Sequence, residues 1–261
     1  MVPSPIRRLA GLVNPLPTRH SHSYGPDMGS YVESTAEVMF PSRYRDAKGD
    51  LRLRIYDPTE DDIPDWVASV EVGDHLRAMV SWHICVVPSS MLGIWKVSLD
   101  EIVATATRNV AALPAQRHTL NRGDCRVEVI VGHLWASSLI TCVGDDLKGH
   151  EGAIVAVPRA DVMLSAPVIG QPTVDSLEMM MLLCDALYDR DDSGVSPHVW
   201  WAWNDGLYRV TDRFEDGEVD IQPPRNVSAH YLLGALRHLI NPCEECGRDG
   251  PAEGAVPSDV K

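Results

Sequence analysis

Val97-Ser98-Leu99-Asp100-Glu101-Ile102-Val103-Ala104-Thr105-Ala106 opens the stretch, closing at Pro114, on which the reading of the fold turns. Ser98 and Glu101 make a capping box, in which the serine hydroxyl accepts from the third helical N–H and the glutamate reaches back to the cap. Val97 can staple onto Ile102 across the first turn. Ile102, Val103, Ala106, Val110 and Leu113 then recur at helical spacing until Pro114 stops the run. The spacing predicts a helix with one apolar stripe, which has to be buried against a sheet or another helix.

Downstream, residues 125–131 read as a strand and 134–142 as a short helix or turn. Residues 153–157 read as a buried strand ended by Pro158, with the strand pattern resuming at 162–164. Between Pro172 and Tyr188 a second stripe, Leu177, Met180, Met181, Cys184, Leu187 and Tyr188, predicts another helix, with Asp175 and Glu178 as its N-terminal cap pair. Residues 198–203 and 207–211 flank Asn204-Asp205-Gly206, which suits a tight antiparallel hairpin. Leu232, Ala235, Leu236 and Leu239 mark a short helix stopped at Asn241-Pro242.

Upstream, Leu51, Leu53 and Ile55 alternate with Arg52 and Arg54, the pattern of a half-buried strand, and the acidic run with Pro58 and Pro64 ends it. A second strand is expected at 66–72. A third is expected over 79–87, closed by Pro88, although a run of that length also allows a buried helix. Hairpins give antiparallel edges and each helix has one stripe to bury, so the fold expected is α+β (mixed α/β), a mostly antiparallel or mixed sheet with packed helices. The organisation expected is a disordered arm at 1–30, a strand-rich part at 31–94 packed on the main domain, an α/β domain at 95–240, and a disordered tail at 241–261.

The chain has 261 residues and a formal charge of −14, from 37 acidic and 23 basic side chains, which repels phosphate backbones; nucleic acid is not an expected partner. No apolar run approaches the roughly 20 residues of a membrane helix, and the N-terminal apolar segment, residues 9–13, is too short for a signal-peptide core. Of the six cysteines, Cys85, Cys125, Cys142 and Cys184 sit in apolar runs as reduced thiols would, so a cytoplasmic location is expected. The Asn226-Val227-Ser228 sequon then has no role.

One set of short motifs resembles a known family. Trp95-Lys96-Val97-Ser98 opens the helix carrying Ala106 and Asn109. Trp135-Ala136-Ser137-Ser138-Leu139 follows, then Val157-Pro158-Arg159-Ala160-Asp161-Val162, a Met-rich helix, and Asp205-Gly206-Leu207. Over residues 95–208 this order resembles the YtpQ-like family of uncharacterised bacterial proteins. The resemblance implies a bacterial cytoplasmic origin and a mixed α/β domain, and brings no activity with it. Gly132-His133-Leu134-Trp135 stands where that family has an Asp-Gly-Tyr-type turn.

Four constellations carry possible chemistry. His133, Ser137, Ser138, Asp145 and Asp146 crowd one segment as a nucleophile, base and orienting acid would, against the reading of the serines as caps or small packing residues; Cys142 has apolar neighbours that raise a thiol pKa. Trp200, Trp201 and Trp203 alternate on one strand, so an exposed face would make a binding platform, whereas large aromatics more often fill a core. Cys243 and Cys246, with His238 as a third ligand, have half of a zinc spacing in a polar tail. His20 and His22 suit adventitious metal binding, and residues 189–194 copy the first half of a calcium loop but place Trp200 where the bidentate glutamate belongs. No dinucleotide or P-loop glycine pattern occurs and no cofactor is expected. The function expected is a non-enzymatic module that binds a protein partner or a small ligand; the alternative is a small hydrolase or transferase using the His133, Ser137, Ser138 and Asp145 cluster.

Overall fold

The computed structural model describes residues 40–58, 63–143, 152–169, 172–188, 194–203, 206–213 and 219–221. The arm at 1–30, the helix near 228–239 and the tail at 241–261 lie outside the described residues. After a helical turn, α1 (Tyr44–Ala47), the alternation at 51–56 becomes β1 (Leu51–Tyr56), with Leu51, Leu53 and Ile55 buried. β2 (Ser69–Gly73) and β1 flank β3 (Leu76–Trp82) in an antiparallel sheet, and β4 (Cys85–Val86) folds back onto the end of β3.

The run expected as one strand at 79–87 is therefore corrected to two strands. His83 takes a left-handed backbone, φ 52°, in the turn between them. Continuous hydrophobicity marks burial but does not say where a chain reverses, and no glycine announces this turn.

A short α2 (Ser90–Trp95) leads into α3 (Leu99–Ala111), where Ser98 Oγ accepts from the Glu101 N–H at 3.1 Å, as the capping box predicts. Ile102, Ala106 and Val110 are fully buried, while Val103 and Leu113 are half-buried at the stripe's margin. The Asn109 amide donates to the carbonyls of Lys48 and Leu51, and the Tyr44 hydroxyl donates to Thr105 Oγ1, so α3 is pinned to the start of β1.

The larger sheet has the order β10-β9-β7-β8-β6-β5, antiparallel throughout. Its strands are β5 (Gln116–Arg122), β6 (Cys125–Val131), β7 (Ala153–Arg159), β8 (Val162–Pro167), β9 (Val199–Trp203) and β10 (Gly206–Arg209). β5 has no counterpart in the sequence reading. β7 also runs through Pro158 instead of ending there, because the β7–β8 register shifts between Ala156 and Arg159 and leaves a place in the ladder where proline's missing N–H breaks nothing. β11 (Thr211–Arg213) and β12 (Val219–Ile221) form a separate two-stranded ladder.

α4 (Pro172–Tyr188) has the bounds its stripe predicts. Asp175 and Glu178 are exposed and do not cap it; Asp175 lies in the first turn, where a carboxylate favours the positive end of the helix dipole. The Ile169 N–H donates to Thr173 Oγ1 in the first turn.

Two cores flank the six-stranded sheet, one on each face, and a third, smaller cluster joins Ile63, Val67, Met79 and Val86. Val155, Val157, Met163 and Trp200 face the smaller sheet and α3, packing with Leu51, Leu53, Ile102 and Val110. Ile154, Ala156, Leu164 and Trp201 face α4, packing with Leu177, Met180, Cys184 and Leu187. The molecule is thus layered as α4, larger sheet, then smaller sheet with α3. The sheets meet where the Asp74 N–H donates to the Leu207 carbonyl and Trp200 Nε1–H donates to the Asp74 carbonyl at 3.0 Å.

Candidate functional site

The expected Ser/His cluster is built into the scaffold. Ser137 begins a 3-10 helix (Ser137–Cys142), and its backbone N–H donates to the Ala160 carbonyl across to the β7–β8 turn. Ser138 is fully buried and its hydroxyl donates to the Leu53 carbonyl in β1 at 2.5 Å. His133 Nδ1 accepts from the Trp135 N–H at 3.2 Å, which requires the neutral ring with its proton on Nε2. Burial, helped by the charge of Arg52, holds the His133 pKa below the ordinary histidine value.

Among the described residues no hydrogen bond joins His133 to either serine, and Asp145 and Asp146 lie outside them. Burial pushes the Cys142 thiol up, against a smaller opposing effect from Thr141, so it is a poor thiolate source at neutral pH.

The tryptophans alternate across the sheet as expected, Trp200 into one core and Trp201 and Trp203 toward the other. An exposed platform is corrected, however: Trp200 is 0% and Trp201 1% exposed, because layers cover both faces of β9. Trp203 is half-buried beside Trp201, with ring centroids 5.9 Å apart. The Asn204-Asp205 turn, the calcium-like residues 189–193, His20, His22, His238, Cys243 and Cys246 lie outside the described residues. Among the described residues no three His, Cys, Asp or Glu side chains are placed to hold a metal, and no helix is long and apolar enough to cross a membrane.

Two polar centres join residues that are distant in sequence. In the first, Ser196 donates its hydroxyl to Asp57 Oδ2 at 2.5 Å across 139 residues and accepts from the His198 N–H. His198 Nδ1 lies 2.9 Å from the Thr211 carbonyl; a carbonyl only accepts, so that nitrogen carries a proton. All four residues are buried, tying β1 to the entry of β9 and to β11. In the second, Arg159 and Asp161 form a buried ion pair, Nε to Oδ1 at 3.0 Å and NH2 to Oδ2 at 3.4 Å, bracing the β7–β8 turn. Removing one partner of such a pair leaves an uncompensated buried charge. Both centres act as structural braces.

Among the described residues a concavity lies elsewhere, between the smaller sheet and the helices that follow it. A cavity of about 240 Å³ is lined by apolar Ile63, Val67, Leu92 and Leu99, and by Ser69, Ser89, Asp65 and Arg77. β2 supplies Ser69, β3 supplies Arg77, and the chain entering α2 supplies Ser89. The Arg77 NH2 group donates to Ser69 Oγ at 3.0 Å, while its buried Nε–H has no hydrogen-bond partner among the described residues. Ser89 stands at the start of α2 without a side-chain capping bond. In sequence Arg77 falls between the strands expected at 66–72 and 79–87, so no local signal marks it.

No family model, curated protein or solved structure matches the chain.

Proposed function

We propose that the chain is a non-enzymatic module that binds a small molecule in the cavity between β2, β3 and the entry to α2. The observation that carries this reading is the cavity itself, in which apolar Ile63, Val67, Leu92 and Leu99 share one lining with polar Ser69, Ser89, Asp65 and Arg77. At about 240 Å³ it exceeds the roughly 150 Å³ that accommodates benzene and falls below the roughly 300 Å³ at which drug-sized pockets begin. A metabolite-sized occupant suits it. The engagement of Ser138 by Leu53 and the raised thiol pKa of Cys142 weigh against the hydrolase or transferase alternative. The likeness of residues 95–208 to the YtpQ-like family belongs to the same proposal, and with it a cytoplasmic location.

The test is a fragment screen by NMR, following the backbone amides of Ala68, Ser69 and Leu92. Fragments that shift these amides in the wild type and not in Ser89→Leu, whose larger side chain fills the cavity without removing a hydrogen bond, support the reading. Shifts that persist unchanged in Ser89→Leu place the fragments elsewhere and reject it.

A further inference from the structure

Resting on that reading, we infer that the ligand carries a single carboxylate, held by Arg77, on a small apolar body packed against Ile63, Val67, Leu92 and Leu99. A guanidinium has five N–H donors. Among the described residues Arg77 makes one hydrogen bond, to Ser69, and its buried Nε–H has no acceptor. Its antiparallel neighbour across the ladder is Glu71, yet no carboxylate among the described residues lies within ion-pairing distance of Arg77. Among the described residues this half-buried arginine on the cavity wall therefore has no anionic partner.

Guanidinium groups match carboxylates in plane and spacing, and hydrogen bonds to charged groups are roughly twice as strong as neutral ones. The apolar wall supplies the complementary half of the site. Asp65 sets the charge of the ligand: it is exposed and also lines the cavity, so a second negative charge on the occupant meets a like charge at the rim. A monocarboxylate is therefore favoured over a phosphate dianion.

Isothermal calorimetry and ¹⁵N NMR on the full chain test this with hexanoate against hexanamide, benzoate against benzamide, and inorganic phosphate. The expected result is that the acids bind about tenfold to hundredfold more tightly than the matched amides. They also shift the Arg77 Nε–H resonance, and both effects vanish in Ser89→Leu. Arg77→Gln should level acid and amide; the wild-type comparison stands without it should that variant fold poorly. Equal binding of acid and amide in the cavity overturns the carboxylate inference and leaves the cavity reading intact. Phosphate binding as tightly as the acids overturns the choice of a monocarboxylate. Absence of binding by every probe overturns both.

Discussion

Ser138 donates its hydroxyl proton to the backbone carbonyl of Leu53 at 2.5 Å, joining the 3-10 helix to the middle of β1 inside the main core. A serine held this way is a brace between layers. Ser138→Ala removes the donor and leaves a buried carbonyl short of one bond, with an expected loss of about 1 kcal/mol and a ceiling near 3 kcal/mol. Urea unfolding of the two proteins measures it. A variant as stable as the wild type would show that the bond contributes nothing net.

Gly73 packs against Leu207, the point where the smaller sheet touches β10. A Cβ added at Gly73 would lie 2.5 Å from the Leu207 Cβ and 2.9 Å from its carbonyl oxygen, whereas a Cβ at Gly49 meets nothing within 4 Å. Gly73→Ala should therefore destabilise by about 1–3 kcal/mol, as overpacked cores do. Gly49→Ala should be neutral or slightly stabilising through its effect on the unfolded chain. Thermal melts of the pair separate a steric effect from the general loss of a glycine.

The depressed pKa of His133 makes stability depend on pH in one direction. Burial and Arg52 disfavour the imidazolium, and protonating Nδ1 breaks the bond from Trp135. As pH falls through the unfolded value, about 6.5, the unfolded chain takes up a proton that the folded chain refuses, so stability declines until the folded pKa is reached. Above that window His133 contributes no slope. His133→Gln should flatten the dependence of unfolding free energy on pH below about 6.5 relative to wild type. An unchanged profile would contradict the burial of the ring.

Cys142 should alkylate slowly. Its half-buried thiol is pushed up by burial, so the thiolate fraction at neutral pH is smaller than in a free cysteine. Mass spectrometry after a timed iodoacetamide pulse on native and urea-unfolded protein measures this. The expectation is a marked gain in labelling at Cys142 on unfolding, and equal rates in the two states would refute it.

Local signals carried much of the architecture. The Ser98 and Glu101 box and the stripe from Ile102 to Val110 lie within a few turns of one another, so α3 was legible, as were β1 from its alternation and α4 from Leu177 to Leu187. β5 was not. Gln116, Arg117, Asn121 and Arg122 are exposed at the sheet edge, leaving no apolar period to read, and the strand exists through its pairing with Cys125–Val131. Asp57 and Ser196 read as unrelated polar residues because their contact spans 139 positions. The site was the least visible part: Arg77 stands out only once its hydrogen bonds are counted and the cavity beside it is seen.

What the residues alone established was local and compositional: where two long helices start and stop, which side chains seek a core, and the net acidity of the chain. Capping, periodicity and charge act over a few residues or by simple summation, so they need no fold to be read. Tertiary structure decided the strand order, the placement of the larger sheet between two layers, and so the burial of Trp200 and Trp201 in opposite cores. Hydrophobicity says that a side chain will be covered, but not by what. The covering surface is assembled from segments more than a hundred residues apart, as when Trp200 closes over Asp74.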